Sequence, residues 1–249
     1  MRIQLIVADI EGVILPAHRG MINPGDMSPI VDYCRQALVD NRLPPLVFCT
    51  GRQIPYLECV AQLMNAFFPG FPSIAENGSF LYDVARNEVF INPRITDRSR
   101  GILNAVKKRT DEFIAISGAR KEYGKEVCIS LNPPAGCSIS AFYKEIGCEL
   151  EDFAEEINIT HSASAVDITP NGIDKASGLR FLSQKTAIPV TAMLGIGDTL
   201  GDLPFLKVVG VPTGPANASV DVQNIAHFIS STEGPVGVAE ILRRYTEWD

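Results

Sequence analysis

The stretch Ile3-Gln4-Leu5-Ile6-Val7-Ala8-Asp9-Ile10-Glu11-Gly12 decides the fold. Its apolar run is short and nearly continuous, the signature of a strand buried on both faces of a parallel sheet. Asp9 then falls at the carboxyl end of that strand, where open α/β sheets place their ligands. A carboxylate there can serve as nucleophile or metal ligand, and Glu11 lies close enough to act as a proton donor on the same substrate. Taken alone the pattern is weak, because strand-end aspartates also cap the turns that follow them.

Three further segments share the layout. Leu46-Val47-Phe48-Cys49 is a second apolar run that ends in Thr50-Gly51-Arg52. A hydroxyl followed by a glycine makes a natural phosphate cradle; Thr50 reads equally as the N-cap of a helix. Lys175 follows Gly172-Ile173-Asp174 and opens an amphipathic stretch. A lysine in a first helical turn opposes the macrodipole, which favours acids there. That position suits an anionic ligand, against the ordinary reading of a solvated lysine. Met193-Leu194-Gly195-Ile196 leads to Asp198 and Asp202, two carboxylates four apart that suit a hard cation. Two turn aspartates capping a helix are the plainer alternative.

Strand-Asp, strand-Thr, helix-Lys and strand-Asp, in that order, resemble the haloacid dehalogenase-like phosphatases over nearly the whole chain. More narrowly the chain is similar to the branch with a large α/β cap between the threonine and lysine motifs. That branch includes the sugar-phosphate, sucrose-phosphate and archaeal phosphoglycolate phosphatases. Glu76-Asn77-Gly78 and Pro215-Ala216-Asn217-Ala218 add to the resemblance. It implies a Rossmann-like doubly wound α/β core with an inserted α+β cap, a core of residues 1–83 and 170–249, and a cap of residues 84–169. It implies a magnesium-dependent phosphomonoester hydrolase in which Asp9 attacks phosphorus and forms an aspartyl-phosphate. Asp9, the Glu11 carbonyl and Asp198 would hold Mg²⁺, with Asp202 beside them or acting through water. Thr50, Gly51, Arg52, Lys175 and Asn217 would hold the phosphoryl group or substrate.

The chain departs from that pattern in two places. The acid two residues after the nucleophile is usually aspartate and here is Glu11, about one C–C bond (~1.5 Å) longer. The residue before the second motif aspartate is commonly asparagine and here is Gly201. These changes motivate a competing reading, a low-activity phosphometabolite-binding protein. A phosphosugar mutase is the rival within enzymes.

Composition fits a globular α/β protein: 249 residues, 46% hydrophobic, with a formal net charge of −7. The negative charge argues against a nucleic-acid partner, and no stretch is apolar enough to span a bilayer. The first strand starts at residue 3, which leaves no room for a signal peptide. Six cysteines without CxxC pairs argue against zinc or a redox pair and for a reducing cytoplasm, and Cys34, Cys49 and Cys59 fall in apolar patterns that read as buried. The expected partner is a small phosphorylated metabolite, a sugar phosphate or phosphoglycolate.

Helices are expected from Ser28-Pro29, over 55–67, 98–113, 138–146 and 151–157, from Lys175, and over 236–245. Strands are expected at 73–75, 89–91, 127–131, 165–168 and 208–211. The basic segment 94–125 reads as a solvated helix face, with an electropositive wall for a second anionic group as the alternative. His18, Arg19, Glu76 and His161 are further residues able to reach a cleft.

Overall fold

A computed structural model describes residues 2–17, 20–162 and 164–248; His18 and Arg19 lie outside them. The chain runs β1 (Leu5–Ala8), α1 (Pro24–Ala37), β2 (Leu46–Phe48), α2 (Ile54–Met64), β3 (Ser73–Ala75), β4 (Phe80–Asp83) and β5 (Glu88–Ile91). Next come α3 (Asp97–Ser117), β6 (Arg120–Lys121), β7 (Ile129–Asn132), α4 (Ile139–Glu149), β8 (Ile157–His161) and β9 (Val166–Pro170). It ends with α5 (Lys175–Thr186), β10 (Met193–Ile196), α6 (Leu203–Leu206), β11 (Val211–Gly214), α7 (Val220–Gln223), β12 (Phe228–Ile229) and α8 (Gly234–Tyr245).

The central sheet is five-stranded and parallel, in the order β12-β11-β10-β1-β2. All four residues of β1 are fully buried, as its unbroken apolar run requires. Ile6 and Ala8 face the layer of α1 and α8, while Leu5 and Val7 face Leu179, Leu182 and Phe205 on the other side. This is the doubly wound α/β arrangement. Strand order reverses at β1, since the chain adds β2 on one side and β10 on the other, which opens a crevice at their carboxyl ends.

Two antiparallel sheets complete the molecule, β3-β4-β5 and β6-β7-β9-β8. A bridge between Cys49 and Ile74 joins the first of them to the central sheet beyond β2. In the second, Ile129, Leu131, Val166, Ile168 and Ile157 pack with Val106, Phe113, Phe142 and Ile146 of α3 and α4. The alternate residues Ser130, Asn132, Asp167 and Thr160 therefore take the opposite face, by the period-2 rule. That face roofs the crevice.

Several sequence expectations are corrected. The first helix starts at Pro24, not at Ser28-Pro29. Asn23-Pro24 offers the same cap-plus-proline signal earlier, and the Asn23 side chain accepts from the Gly25 N–H. The second helix stops at Asn65, which takes a left-handed backbone (φ 56°) before Pro69-Gly70 is reached. Residues 151–153 form a single 3₁₀ turn, and 157–161 is the strand β8, where Ile157 and Ile159 alternate with polar neighbours. The strand expected over 208–211 is displaced to Val211–Gly214.

Candidate active site

Strand register brings three of the site's four segments together. Ala8 pairs with Phe48 on one side and Ile196 on the other. Asp9 therefore sits level with Cys49 and Gly197, with Thr50 and Asp198 one residue further on. Neighbouring strands lie about 4.8 Å apart, so side chains from three chain segments converge. The fourth segment arrives through close packing. A Cβ on Gly178 would lie 2.6 Å from Gly78 Cα, and one on Gly78 would lie 2.1 Å from the Asp174 carbonyl oxygen. Only glycines at both positions let the first turn of α5 press against the 76–78 turn. The Asp174 side chain caps that helix in a reciprocal box with Ser177, which fixes where Lys175 leaves the backbone.

Lys175 is 6% exposed; its Nζ lies 2.6 Å from Asp202 Oδ1 and 2.9 Å from Asp9 Oδ1. Burial disfavours its charge, but the Asp202 and Asp9 carboxylates overcome this and hold the lysine protonated well above its usual range. Burial, together with Asp202, pushes the Asp9 carboxyl well above the ordinary carboxylate range, with Lys175 opposing. Asp198 is pushed up to about 7 by burial and then by Asp202.

Asp9, Asp198 and Asp202 each place one carboxylate oxygen within 4.8 Å of the others. Their oxygens are not equally available. Asp202 Oδ2 accepts from the amides of Asp198 and Thr199 (3.0 Å each) and Oδ1 accepts from Lys175, so both are occupied. Asp202 thus holds the loop and the lysine in place. Asp9 Oδ1 and Asp198 Oδ1 are buried and have no hydrogen-bond donor among the described residues; the Lys175 contact to Asp9 is an ion pair outside hydrogen-bond angles. Two orphaned, mutually repelling oxygens fit a hard divalent cation.

The Asp198 position depends on Gly12. With φ +79° and a Cβ that would fall 2.0 Å from Asp198 Oδ2, residue 12 tolerates nothing larger. Asn217 reinforces the arrangement: its Nδ2 donates to the Gly12 carbonyl (2.8 Å) and its Oδ1 accepts from the Gly234 N–H (2.9 Å). The same Nδ2 also reaches Asp198 Oδ2 at 3.5 Å, so Asn217 ties the Asp198 carboxylate to the backbone behind it and does not itself line the cavity.

Thr50 is fully buried; its hydroxyl accepts from the Arg52 N–H (3.1 Å) and donates to Glu11 Oε2 (3.3 Å). Arg52 Nε bonds Glu11 Oε1, and Arg52 also approaches Glu122 of the roof at 3.7 Å. The longer side chain of Glu11 is held from two directions. Gly201 lines the same cavity, and a Cβ there would meet only Thr199 Oγ1 at 3.5 Å, so nothing excludes a larger residue.

The cavity has a volume of about 770 Å³. Asp9, Glu11, Gly51, Arg52, Lys175 and Asp198 form its floor, and Arg120, Lys121, Glu122, Lys125, Asn132, His161 and Asp167 its roof. Of the basic segment, Arg120, Lys121 and Lys125 reach the cavity. Lys107 bonds the Glu126 carbonyl and Arg109 pairs with Glu149. His161 packs on Tyr143, with ring centroids 5.0 Å apart. Sequence reasoning missed the roof residues Glu122, Asn132 and Asp167; their alternation with buried neighbours was the available signal.

A family profile described as haloacid dehalogenase-like hydrolase matches residues 138–242. The chain is 25% identical to a phosphoglycolate phosphatase of Methanopyrus kandleri, over 98% of this chain and 97% of that one. It is 28% identical to a 5-amino-6-(5-phospho-D-ribitylamino)uracil phosphatase of Bacillus subtilis, over 98% and 96%. Among solved structures, a Thermoplasma acidophilum protein superposes with a TM-score of 0.77 at 17% identity, covering 98% of this chain and 99% of that one. The Synechocystis sucrose-phosphatase, solved with sucrose and phosphate, superposes with a TM-score of 0.66 at 14% identity, covering 98% of each chain. No helix among the described residues is long and apolar enough to cross a membrane.

Proposed function

We propose that the chain is a haloacid dehalogenase-like phosphatase with an inserted cap, a magnesium-dependent phosphomonoester hydrolase acting through Asp9. Its substrate is a small phosphorylated metabolite, a sugar phosphate or phosphoglycolate, whose leaving group meets a cap of residues 84–169. The observation that carries this reading is the pair of orphaned oxygens on Asp9 and Asp198, beside a buried Lys175 at the floor of one cavity.

Asp9, Asp198 and the Glu11 carbonyl are the residues that would hold Mg²⁺, which when bound neutralises charge on the carboxylates and on phosphate oxygens. Lys175, the Thr50 hydroxyl and the Gly51 amide orient the phosphoryl group. An Asp9 carboxylate oxygen attacks phosphorus in line; the bond to the leaving oxygen breaks, and Glu11 gives that oxygen a proton. Glu11 then takes a proton from water, which attacks phosphorus, and the bond to Asp9 breaks to release inorganic phosphate. Positioning and charge neutralisation supply most of the acceleration.

Purified protein with p-nitrophenyl phosphate and a panel of phosphorylated metabolites tests the reading. Hydrolysis with magnesium and none in EDTA is expected; undiminished turnover in EDTA would overturn it. Glu11→Gln is expected to lower kcat by about 10²–10⁴-fold, the usual worth of acid–base assistance. Inhibition by inorganic phosphate should stay unchanged. A variant with wild-type kcat would remove Glu11 from the mechanism and favour water as the proton carrier.

A further inference from the structure

The Glu76-Asn77 turn links the floor of the cavity to its roof. Both residues take a left-handed backbone, φ +46° and +54°, which side chains other than glycine rarely adopt. Their amides donate to the carbonyls of Arg52 (2.9 Å) and Thr50 (3.1 Å), so the turn is fastened to the phosphate-cradle segment. Their side chains reach the other way. Asn77 Nδ2 donates to Asp167 Oδ2 of β9 at 3.1 Å. The Glu76 carboxylate, 2% exposed, accepts from the amides of Glu126, Val127 and Cys128 at 2.8–3.1 Å.

Three successive N–H groups converging on one anion form a nest. Here the protein supplies both halves, one from each side of the cavity. The nest follows immediately on Lys125, a roof lysine with a side chain 4% exposed that is held between Glu122 (3.2 Å) and Asp167 (3.4 Å). A neutral amide at position 76 cannot reproduce this, because its NH₂ would face donors.

We infer that Glu76 is a positioning residue, which sets the height and register of residues 125–128 and thereby places Lys125 over a substrate bound at Asp9. The inference rests on the phosphatase reading above. It assigns Glu76 no contact with the reacting atoms; its effect passes through the roof to the leaving group.

The test compares wild type, Glu76→Gln, Glu76→Asp, Lys125→Met and the Glu76→Gln/Lys125→Met double variant, on whichever metabolite of the panel turns over best. Glu76→Gln is expected to lower kcat/KM about 10–100-fold, the scale of a misplacement near 1 Å. Inhibition by inorganic phosphate, held by the floor, should change less than about twofold. Glu76→Asp should recover part of the loss, and the double variant should be no worse than Lys125→Met. Additive losses, or phosphate inhibition weakening in parallel with kcat/KM, would overturn the inference. Hydrogen exchange on the wild-type protein gives a readout that needs no variant to fold. Slow exchange at residues 126–128 is expected, and exchange as fast as in open loops contradicts the nest. A wild type without turnover would count against the phosphatase reading itself, whereas normal turnover by Glu76→Gln would count only against this inference.

Discussion

Asp9→Asn is expected to abolish phosphatase turnover, with a fall in kcat of about 10³-fold or more, the range found when a nucleophile is removed. The replacement keeps the volume of a residue only 6% exposed at the end of a fully buried strand, so the sheet register is unaffected. Its electrostatic effect is favourable to folding in one respect, since burial and Asp202 already push the Asp9 carboxyl well above its usual range. A neutral amide relieves that repulsion, although Lys175 loses one of its two carboxylate partners. Steady-state kinetics alongside thermal unfolding separate the two effects. A folded variant with activity above about 10% of wild type is incompatible with Asp9 as nucleophile.

Removing divalent metal is expected to have the second largest effect, visible in stability as well as in rate. A ligand that binds only the folded state at a hundred times its Kd stabilises by about 2.7 kcal/mol. In a chain of this length that corresponds to roughly 5–10 °C in Tm. The pH dependence follows from Asp198. Its folded, metal-free carboxyl titrates at about 7, against an ordinary value of 3.8, mainly because it is buried and then because Asp202 is near. The folded state thus holds this proton more tightly than the unfolded state does. The contribution of Asp198 to metal-free stability falls as pH rises from about 4 to about 7 and is flat above that. Magnesium must displace the same proton, so its affinity rises with pH over the same window. The Tm increment from magnesium should therefore be larger at pH 8 than at pH 6. An increment that shrinks with pH, or is absent at both, would rule out Asp198 as a ligand.

Much of the floor was legible because it follows from strand ends. Each apolar run is short, its last residue is fixed by the first polar one, and parallel register then forces Asp9, Thr50 and Asp198 to one edge. Lys175 was legible as an anomaly, a cation in a first helical turn. What the sequence did not disclose is which hydrogen bonds compete for each side chain. Nothing in Asp198-Thr199-Leu200-Gly201-Asp202 says that Asp202 is occupied by two amides and a lysine while Asp198 keeps a bare oxygen. Nor does the sequence say that Asn217 bonds the Gly12 carbonyl, the Gly234 N–H and the Asp198 carboxylate at once.

The roof was less legible for a different reason. Ile157 and Ile159 alternate with Asn158 and Thr160, and Ser130 and Asp167 lie between buried residues; alternation identifies two faces without saying what covers the polar one. That depends on Glu76, which could be read locally as a turn residue, yet bonds residues 50 positions away and further. Long-range pairing of that kind has no local periodicity to betray it.

The account stands most directly on a covalent phosphoenzyme at Asp9. Protein mixed with its best substrate and magnesium, quenched in acid within the first turnover and reduced with borohydride, can be mapped peptide by peptide. The account predicts that the acyl-phosphate, and hence the reduced side chain, is found at position 9. Reduction elsewhere, or an unmodified Asp9 while product is already forming, would contradict it.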